Sequence, residues 1–149
     1  MPTLAETQNA LTVANRLRPV LLRLARELRK EARAFGITGG QAGLLAVVER
    51  HGRIGLGRLA SEEGVSPPAM SKHVDRLEDA GLVRRLAGAG GDRRRVEIEL
   101  TTEGKRLLRR VRSQRTAWLA ERLEHLDSRA LTAVDRAIEP LAEVLAGNA

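Results

Sequence analysis

The segment GVSPPAMSKHVDRLEDAGLVRR, residues 64–85, decides the fold. It begins with a glycine, and Ser66 then provides a good N-cap for a helix that has Pro67 at its first position, where the missing N–H costs no hydrogen bond. Gly81 is well placed to end the helix in the left-handed conformation that glycine adopts easily. The segment therefore predicts a short, capped helix that runs to about Ala80 between two turns.

A β-hairpin is predicted directly after this helix. The segment LAGAGGDRRRVEIELT, residues 86–101, places a glycine-rich tip between two strand-like runs. In the second run, Val96, Ile98 and Leu100 alternate with glutamates, which is the period of two of a half-buried strand. We expect the first strand over residues 82–86 and the second from Val96 to Leu100. A helix that follows a glycine turn and precedes a hairpin is typical of a winged helix-turn-helix.

The segments before this unit are predicted to be helical. Leucines recur at helical spacing between about residues 4 and 35. Thr38 and Gln41 then form the pattern of a capping box at the start of a second helix. An extended piece around Ile54 separates the second helix from a short third helix over residues 56–63.

Two more helices are predicted after the hairpin. Thr101 caps a long fifth helix and Ser128 caps a sixth, in which Pro140 should produce a kink or a division. The fold class is therefore mainly α with a small β-hairpin wing. We expect three parts, which are an N-terminal dimerisation helix over residues 1–35, a winged helix-turn-helix over 36–101 and C-terminal dimerisation helices over 102–149.

The net charge indicates the kind of partner. The 149 residues include 26 Lys and Arg against 19 Asp and Glu, which gives a formal net charge of +7. This excess favours a polyanionic partner, with nucleic acid first and an anionic membrane surface second. Trp118 and Phe35 are the whole aromatic content, which argues against modules that stack single-stranded bases on aromatic side chains.

Several classes of protein are excluded by what the sequence lacks. The absence of cysteine excludes a disulfide framework, a thiol redox switch and a cysteine-based metal site. No apolar run approaches the roughly 18 residues that a membrane span requires. The first residues lack the basic start and apolar stretch of a secretory signal. We therefore expect a cytoplasmic protein with no membrane contact.

The predicted fourth helix has two distinct faces. At about 100° per residue, Met70, Val74 and Leu77 fall within one narrow arc, which must face the core. The opposite face carries long cations and small residues, and a major groove accepts a helix of this kind because Lys and Arg donate to guanine O6 and N7. The alternative is an ordinary solvated face. The predicted DNA-contacting residues of the helix are Ser66, Pro68, Ala69, Ser71, Lys72, His73 and Arg76.

The hairpin tip ends in three consecutive arginines, Arg93, Arg94 and Arg95. Arginine enters the narrow, electronegative minor groove of A/T-rich DNA, so these side chains are predicted to contact DNA. Asp92 would repel phosphate, and we expect it to order the tip by accepting hydrogen bonds from Arg94 or the loop backbone. The alternative is a charged surface loop without a partner.

Together the two segments resemble the MarR family of bacterial transcription regulators. LASEEGVSPPAMSKHVDRLEDAGLVRR, residues 59–85, resembles the family's helix-turn-helix, and DRRRVEIELTTEGKRL, residues 92–107, resembles its wing signature. The similarity extends from about Thr38 to Leu108. The positions that match the wing signature are Asp92, Arg94, Leu100, Thr101 and Gly104.

The resemblance implies a two-fold symmetric dimer in which the first, fifth and sixth helices interlock. Its two recognition helices would enter successive major grooves of a palindromic site, about 34 Å apart. Apolar residues of the sixth helix recur in alternating threes and fours, which favours a seam with another helix. The predicted dimer contacts are Leu17, Leu21, Trp118, Leu131, Val134, Ile138, Leu141 and Leu145.

The resemblance also implies regulation by a small molecule. Family members are mostly repressors, and many release DNA when a small organic effector, often phenolic or acidic, binds. No cofactor is expected, and no motif identifies the residues of an effector pocket. The leading hypothesis is therefore a dimeric, sequence-specific, ligand-responsive repressor that binds double-stranded DNA. The alternative is a nonspecific architectural DNA-binding protein without an effector.

Enzyme chemistry is not predicted. An enzyme such as a transferase would need a second catalytic domain, and no residues remain to build one. His51, His73 and His125 are widely separated and lack the spacing of metal ligands. The glycines at 88–91 lack the Lys-Ser/Thr of a phosphate-binding loop and connect two strands. We therefore predict neither catalytic residues nor a metal site.

Overall fold

The computed structural model describes residues 1–88 and 95–147. Within these residues the chain forms six α-helices, one 3₁₀ helix and three β-strands. The predicted fold class, mainly α with a small antiparallel sheet, is confirmed. The elements in chain order are α1 (Leu4–Lys30), the 3₁₀ helix (Glu31–Phe35), α2 (Gly39–His51), β1 (Arg53–Gly55), α3 (Leu56–Glu62), α4 (Pro67–Asp79), β2 (Val83–Ala87), β3 (Val96–Leu100), α5 (Thr102–Leu123) and α6 (Ser128–Ala146).

The chain divides into two compact units, Met1–Gln114 and Arg115–Ala149. The expected division at residues 35 and 101 rests on dimerisation and DNA-binding roles, and it stays a prediction. The hydrophobic core lies in the first unit, where α2, α3, α4, the sheet and the start of α5 meet. Its largest fully buried side chains include Leu45, Leu59, Met70, Leu77, Ile98 and Leu108.

The sheet has three antiparallel strands in the order β1-β3-β2. The predicted hairpin is β2 and β3, in which Arg85 pairs with Ile98. The extended piece around Ile54 is the third strand, and Ile54 pairs with Ile98 from the other side. Ile98 is completely buried at the centre of the sheet. The wing is therefore attached to the core through β1 as well as through α4.

Side-chain caps set the start of α2 as predicted. The Gln41 backbone N–H donates to Thr38 Oγ1 at 3.1 Å, and the Thr38 N–H donates to Gln41 Oε1 at 2.9 Å. The first helix ends earlier than expected, because α1 tightens into the 3₁₀ helix after Lys30 instead of continuing to Phe35. Gly36, at a φ of 77°, ends this segment in the left-handed conformation.

The second unit contains the end of α5 and α6, and it corrects two predictions. Asp127 rather than Ser128 caps α6, and the Ala130 N–H donates to Asp127 Oδ1 at 2.7 Å. An ionised carboxylate is a stronger acceptor than a hydroxyl, so Ser128 becomes the first helical residue. Pro140 does not divide α6, which is continuous from Ser128 to Ala146, and the alternative of a kink at Pro140 stays a prediction. No helix in residues 1–88 and 95–147 is both long and apolar enough to span a bilayer.

Candidate nucleic-acid interface

Helix α4 has the two faces that its sequence predicts. Ser66 caps it, since the Ala69 N–H donates to Ser66 Oγ at 3.3 Å. Met70, Val74 and Leu77 are at most 1% exposed, so the helix cannot rotate about its axis without losing core contacts. Its outward face is therefore held in one orientation.

The predicted DNA-contacting residues of α4 differ in exposure. Lys72, His73, Arg76 and Pro68 are exposed, as a reading surface requires. Ala69 and Ser71 are only partly exposed. All of them belong to α4 or its N-cap, so one element presents the whole set.

Arg85 connects this helix to the wing, and sequence reasoning missed it. The Arg85 guanidinium donates from Nη2 to the backbone oxygen of Ser71 at 3.0 Å and to Ser71 Oγ at 3.2 Å. Its Nη1 lies 2.7 Å from Asp75 Oδ1 and 3.1 Å from Glu78 Oε1. The Arg85 N–H also donates to Glu78 Oε2 at 3.0 Å. One side chain of β2, 22% exposed, thus holds three turns of α4.

Replacement of this connector tests its structural role. We expect Arg85→Ala to lower the free energy of unfolding by about 1–3 kcal/mol, because charge-assisted hydrogen bonds to partly buried groups are lost. The neighbouring Arg84→Ala is the control, since its side chain is 58% exposed and its ion pair with Glu99 should therefore contribute less to stability. Urea denaturation of both variants measures the difference. Equal losses would show that Arg85 adds no more than a surface ion pair.

The outer side of the sheet carries a second charge cluster centred on Glu99. Arg84 Nε donates to Glu99 Oε1 at 2.6 Å, and Arg53 Nε donates to Glu99 Oε2 at 3.0 Å. Burial alone would raise the pKa of Glu99, but the hydrogen bonds and charges of Arg84 and Arg53 bring it below the usual value. The cluster therefore stabilises the fold at neutral pH and loses this effect as the pH falls through the lowered pKa.

The base of the hairpin is tightly closed. The Gly88 N–H donates to the Arg95 backbone oxygen at 2.7 Å, and a Cβ at position 88 would lie 2.6 Å from Arg95 Cβ. Arg95 is exposed at the start of the returning strand. The other predicted wing residues, Asp92, Arg93 and Arg94, lie outside the described residues. The structure thus places one of the three arginines, Arg95, at the closed base of the hairpin.

A cleft lies between α4 and the start of α2. Its volume is about 270 Å³, and its lining combines apolar side chains with the guanidinium of Arg76 and the carboxylate of Glu63. His73 and Arg76, on the exposed face of α4, form one side of it, and Thr38 and Gln41 lie on the other. The remaining lining residues are Gly40, Leu44, Glu63, Val65 and Met70.

The fold and these surfaces can be compared with known proteins. A family model described as "MarR family" matches residues 35–95. An HTH-type transcriptional regulator of Mycobacterium tuberculosis is 33% identical over 115 residues, which cover 77% of this chain and 80% of that protein. The chain belongs to the MarR family. The matched residues contain the first segment that carries the resemblance, residues 59–85, and only the beginning of the second, residues 92–95.

The chain is also similar to two other regulators. The HTH-type transcriptional repressor MdtR of Bacillus subtilis is 29% identical over 110 residues, 74% of this chain and 70% of MdtR. The crystal structure of a MarR mutant of Escherichia coli in complex with operator DNA has a TM-score of 0.61 and 22% identity, and the match covers 89% of this chain and 96% of that one. At that identity the likeness shows the shared MarR fold.

The relatives of this chain in the MarR family are transcription regulators rather than enzymes. In the part of the chain that the structure describes, no three His, Asp or Glu side chains are grouped to hold a metal ion. His51 Nε2 lies 3.1 Å from Glu62 Oε2, and His125 Nδ1 lies 2.8 Å from the Glu121 backbone oxygen. Two of the three histidines thus have local structural contacts, and His73 lies on the exposed face of α4.

Proposed function

We propose that this MarR-family chain is a dimeric, sequence-specific repressor that binds a palindromic operator and is released by a small organic acid. The observation that carries the proposal is the fixed outward face of α4, where Lys72 and Arg76 are exposed opposite a fully buried arc. The name of MdtR, a transcriptional repressor, supports repression rather than activation.

The proposed reading of DNA follows from the spacing on α4. Lys72 and Arg76 are four residues apart, so they lie on the same side of the helix about 6 Å apart along its axis. In a major groove, each would donate to guanine O6 and N7 on nearby base pairs. Arg93, Arg94 and Arg95 of the wing would enter the adjacent minor groove. Base contacts from α4 would specify the sequence, while the wing would add affinity.

The proposed dimer would cover apolar side chains that a single chain leaves exposed. On α6, the seam residues Leu131, Val134, Ile138 and Leu145 are between 42% and 77% exposed. On α1, Leu21 is 44% exposed. Contiguous apolar faces of this kind mark interaction surfaces. The other predicted dimer contacts, Leu17, Trp118 and Leu141, are partly buried.

A polar substitution on α6 tests the seam. We expect Ile138→Asp to shift the protein from dimer to monomer, because it places an uncompensated charge in an apolar interface. Ile138 is 57% exposed in one chain, so the fold of the monomer should survive. Arg136→Ala is the control, since it changes the net charge by the same amount on the opposite side of α6. An Ile138→Asp protein that sediments as a dimer would rule out this seam.

The cleft between α2 and α4 is the proposed effector site. Leu44, Val65 and Met70 offer apolar contacts, and His73 and Arg76 suit a carboxylate. An acid bound there would neutralise Arg76 on the face that contacts DNA, which explains release without a separate signal. Titration with a panel of small aromatic acids should weaken operator binding by wild type. If acids release wild type and the Leu44→Trp variant equally, the site lies elsewhere.

Selection of bound fragments from genomic DNA tests the proposed function as a whole. We expect recovery of a few sites that share one palindrome with half-sites about one helical turn apart. The alternative, a nonspecific architectural protein, would use the same cations on phosphates alone and would recover fragments without a common sequence.

A further inference from the structure

We propose that the end of α1 carries a second DNA-contacting surface, which binds backbone phosphates beside the sequence that α4 reads. This inference rests on the proposed function and extends its footprint. The surface consists of Arg26, Arg29, Lys30 and Arg33, here called the α1 basic face. These residues recur at intervals of three, one and three, so they lie along one side of the helix and its 3₁₀ extension. All four are exposed.

Positive charge is in clear excess along this part of the chain. Residues 23–33 contain five cations and two carboxylates. Glu27 Oε1 is paired with Lys30 Nζ at 2.8 Å, and Glu31 Oε2 accepts a hydrogen bond from Gln114 Nε2 at 3.0 Å. Both carboxylates are thus engaged, and the excess favours a polyanion over a neutral partner.

The α1 basic face is held against the start of α2. A Cβ at Gly39 would lie 2.6 Å from Arg29 Cβ and 3.0 Å from the Arg29 backbone oxygen, so the two helices meet there without space for a side chain. The four cations line a cleft of about 350 Å³ together with Thr38, Gly39 and Gly40. The positive end of the α2 dipole also points at this cleft and adds to its attraction for phosphate.

This cleft is continuous with the surface of the recognition helix. Thr38 and Gly40 line both this cleft and the one that contains His73 and Arg76. Cations of α4 and of α1 therefore lie on either side of the uncharged first turn of α2, which lines both clefts. Duplex DNA carries one negative charge for about every 1.7 Å of its axis, so a duplex read by α4 offers phosphates to the α1 basic face beyond the recognised bases. Charge and continuity together point to flanking DNA as the occupant.

Two lengths of DNA distinguish flanking contacts from contacts within the operator. The probes are the selected palindrome alone and the same palindrome with about ten added base pairs at each end. We expect wild type to bind the longer duplex more tightly. In Arg26→Ala/Arg33→Ala, affinity for the longer duplex should fall about tenfold, and the slope of log K against log salt should become shallower by about 2 per chain. Affinity for the short duplex should be unchanged.

Arg16→Ala is the control, because it removes a cation from the same helix about 15 Å before Arg26. It should leave binding to both duplexes unchanged. If the double variant matches wild type on the longer duplex, or loses affinity equally on both, flanking contacts by α1 are excluded while operator binding stands. The inference would also be wrong if the double variant lost binding to vesicles of anionic lipid but bound both duplexes as tightly as wild type does. If wild type binds neither duplex, the proposed function itself has failed.

Discussion

The double variant Lys72→Ala/Arg76→Ala is expected to bind the selected operator at least about 30-fold more weakly than wild type. A good contact to a base edge is worth about 1–3 kcal/mol, and the two residues contact separate base pairs in the proposed complex. Both side chains are exposed on a helix whose buried arc prevents rotation. The loss should therefore be close to the sum of the two contacts.

Fluorescence anisotropy with the operator and with scrambled DNA measures this loss. The operator should suffer more than scrambled DNA, because base contacts are sequence-specific and phosphate contacts are not. Arg129→Ala/Arg136→Ala on α6 is the matched control, since it removes the same charge from an exposed region outside the proposed interface. An equal loss of affinity for both DNAs would mean that Lys72 and Arg76 contact phosphates and not base edges. An unchanged affinity would remove α4 from the mechanism.

Gly104→Ala is expected to lower the free energy of unfolding by about 3 kcal/mol. A Cβ at position 104 would overlap the backbone oxygen of Leu82 and lie 3.0 Å from its carbonyl carbon. Leu82 cannot move aside easily, because its backbone is held at both ends. Its oxygen accepts a hydrogen bond from the Thr101 N–H at 3.1 Å, and its N–H donates to the Leu77 backbone oxygen at 2.9 Å. The substitution therefore separates α5 from the turn that joins α4 to the wing.

Gly43→Ala is the control for Gly104→Ala. Gly43 lies inside α2, and an added Cβ would meet nothing within 4 Å. Alanine is favoured over glycine in a helix, so this variant should be as stable as wild type or more stable by up to about 1 kcal/mol. Urea denaturation compares the two variants. A Gly104→Ala midpoint equal to that of wild type would contradict the close approach of α5 to Leu82.

The recognition helix could be predicted from sequence because its signals are local. The Ser66 cap, Pro67 and the arc of Met70, Val74 and Leu77 all lie within one short segment, and each is confirmed. The strand β1 was only an extended piece in the sequence. Three residues are too few for a period of two, and their pairing with β3 depends on residues more than forty positions away.

The contacts of Arg85 and the cleft beside the α1 basic face could not be predicted from the sequence, because both depend on how the chain folds. Arg85 is one of two adjacent arginines, and nothing local separates it from Arg84. Its partners on α4 are 7 to 14 residues earlier and reach it only when β2 packs beside the helix. Likewise, arginines between apolar positions of α1 look like an ordinary solvated side of a helix. Their proximity to the start of α2 gives them a common cleft with Thr38.

The most direct test measures the number of chains on DNA and the preference for one sequence in the same experiment. Sedimentation of wild type with the selected duplex should give two chains per duplex, and competition should show a preference of roughly 10³-fold or more over random DNA at physiological salt. A protein that stays monomeric, or that random DNA displaces as readily as the palindrome does, would contradict the account.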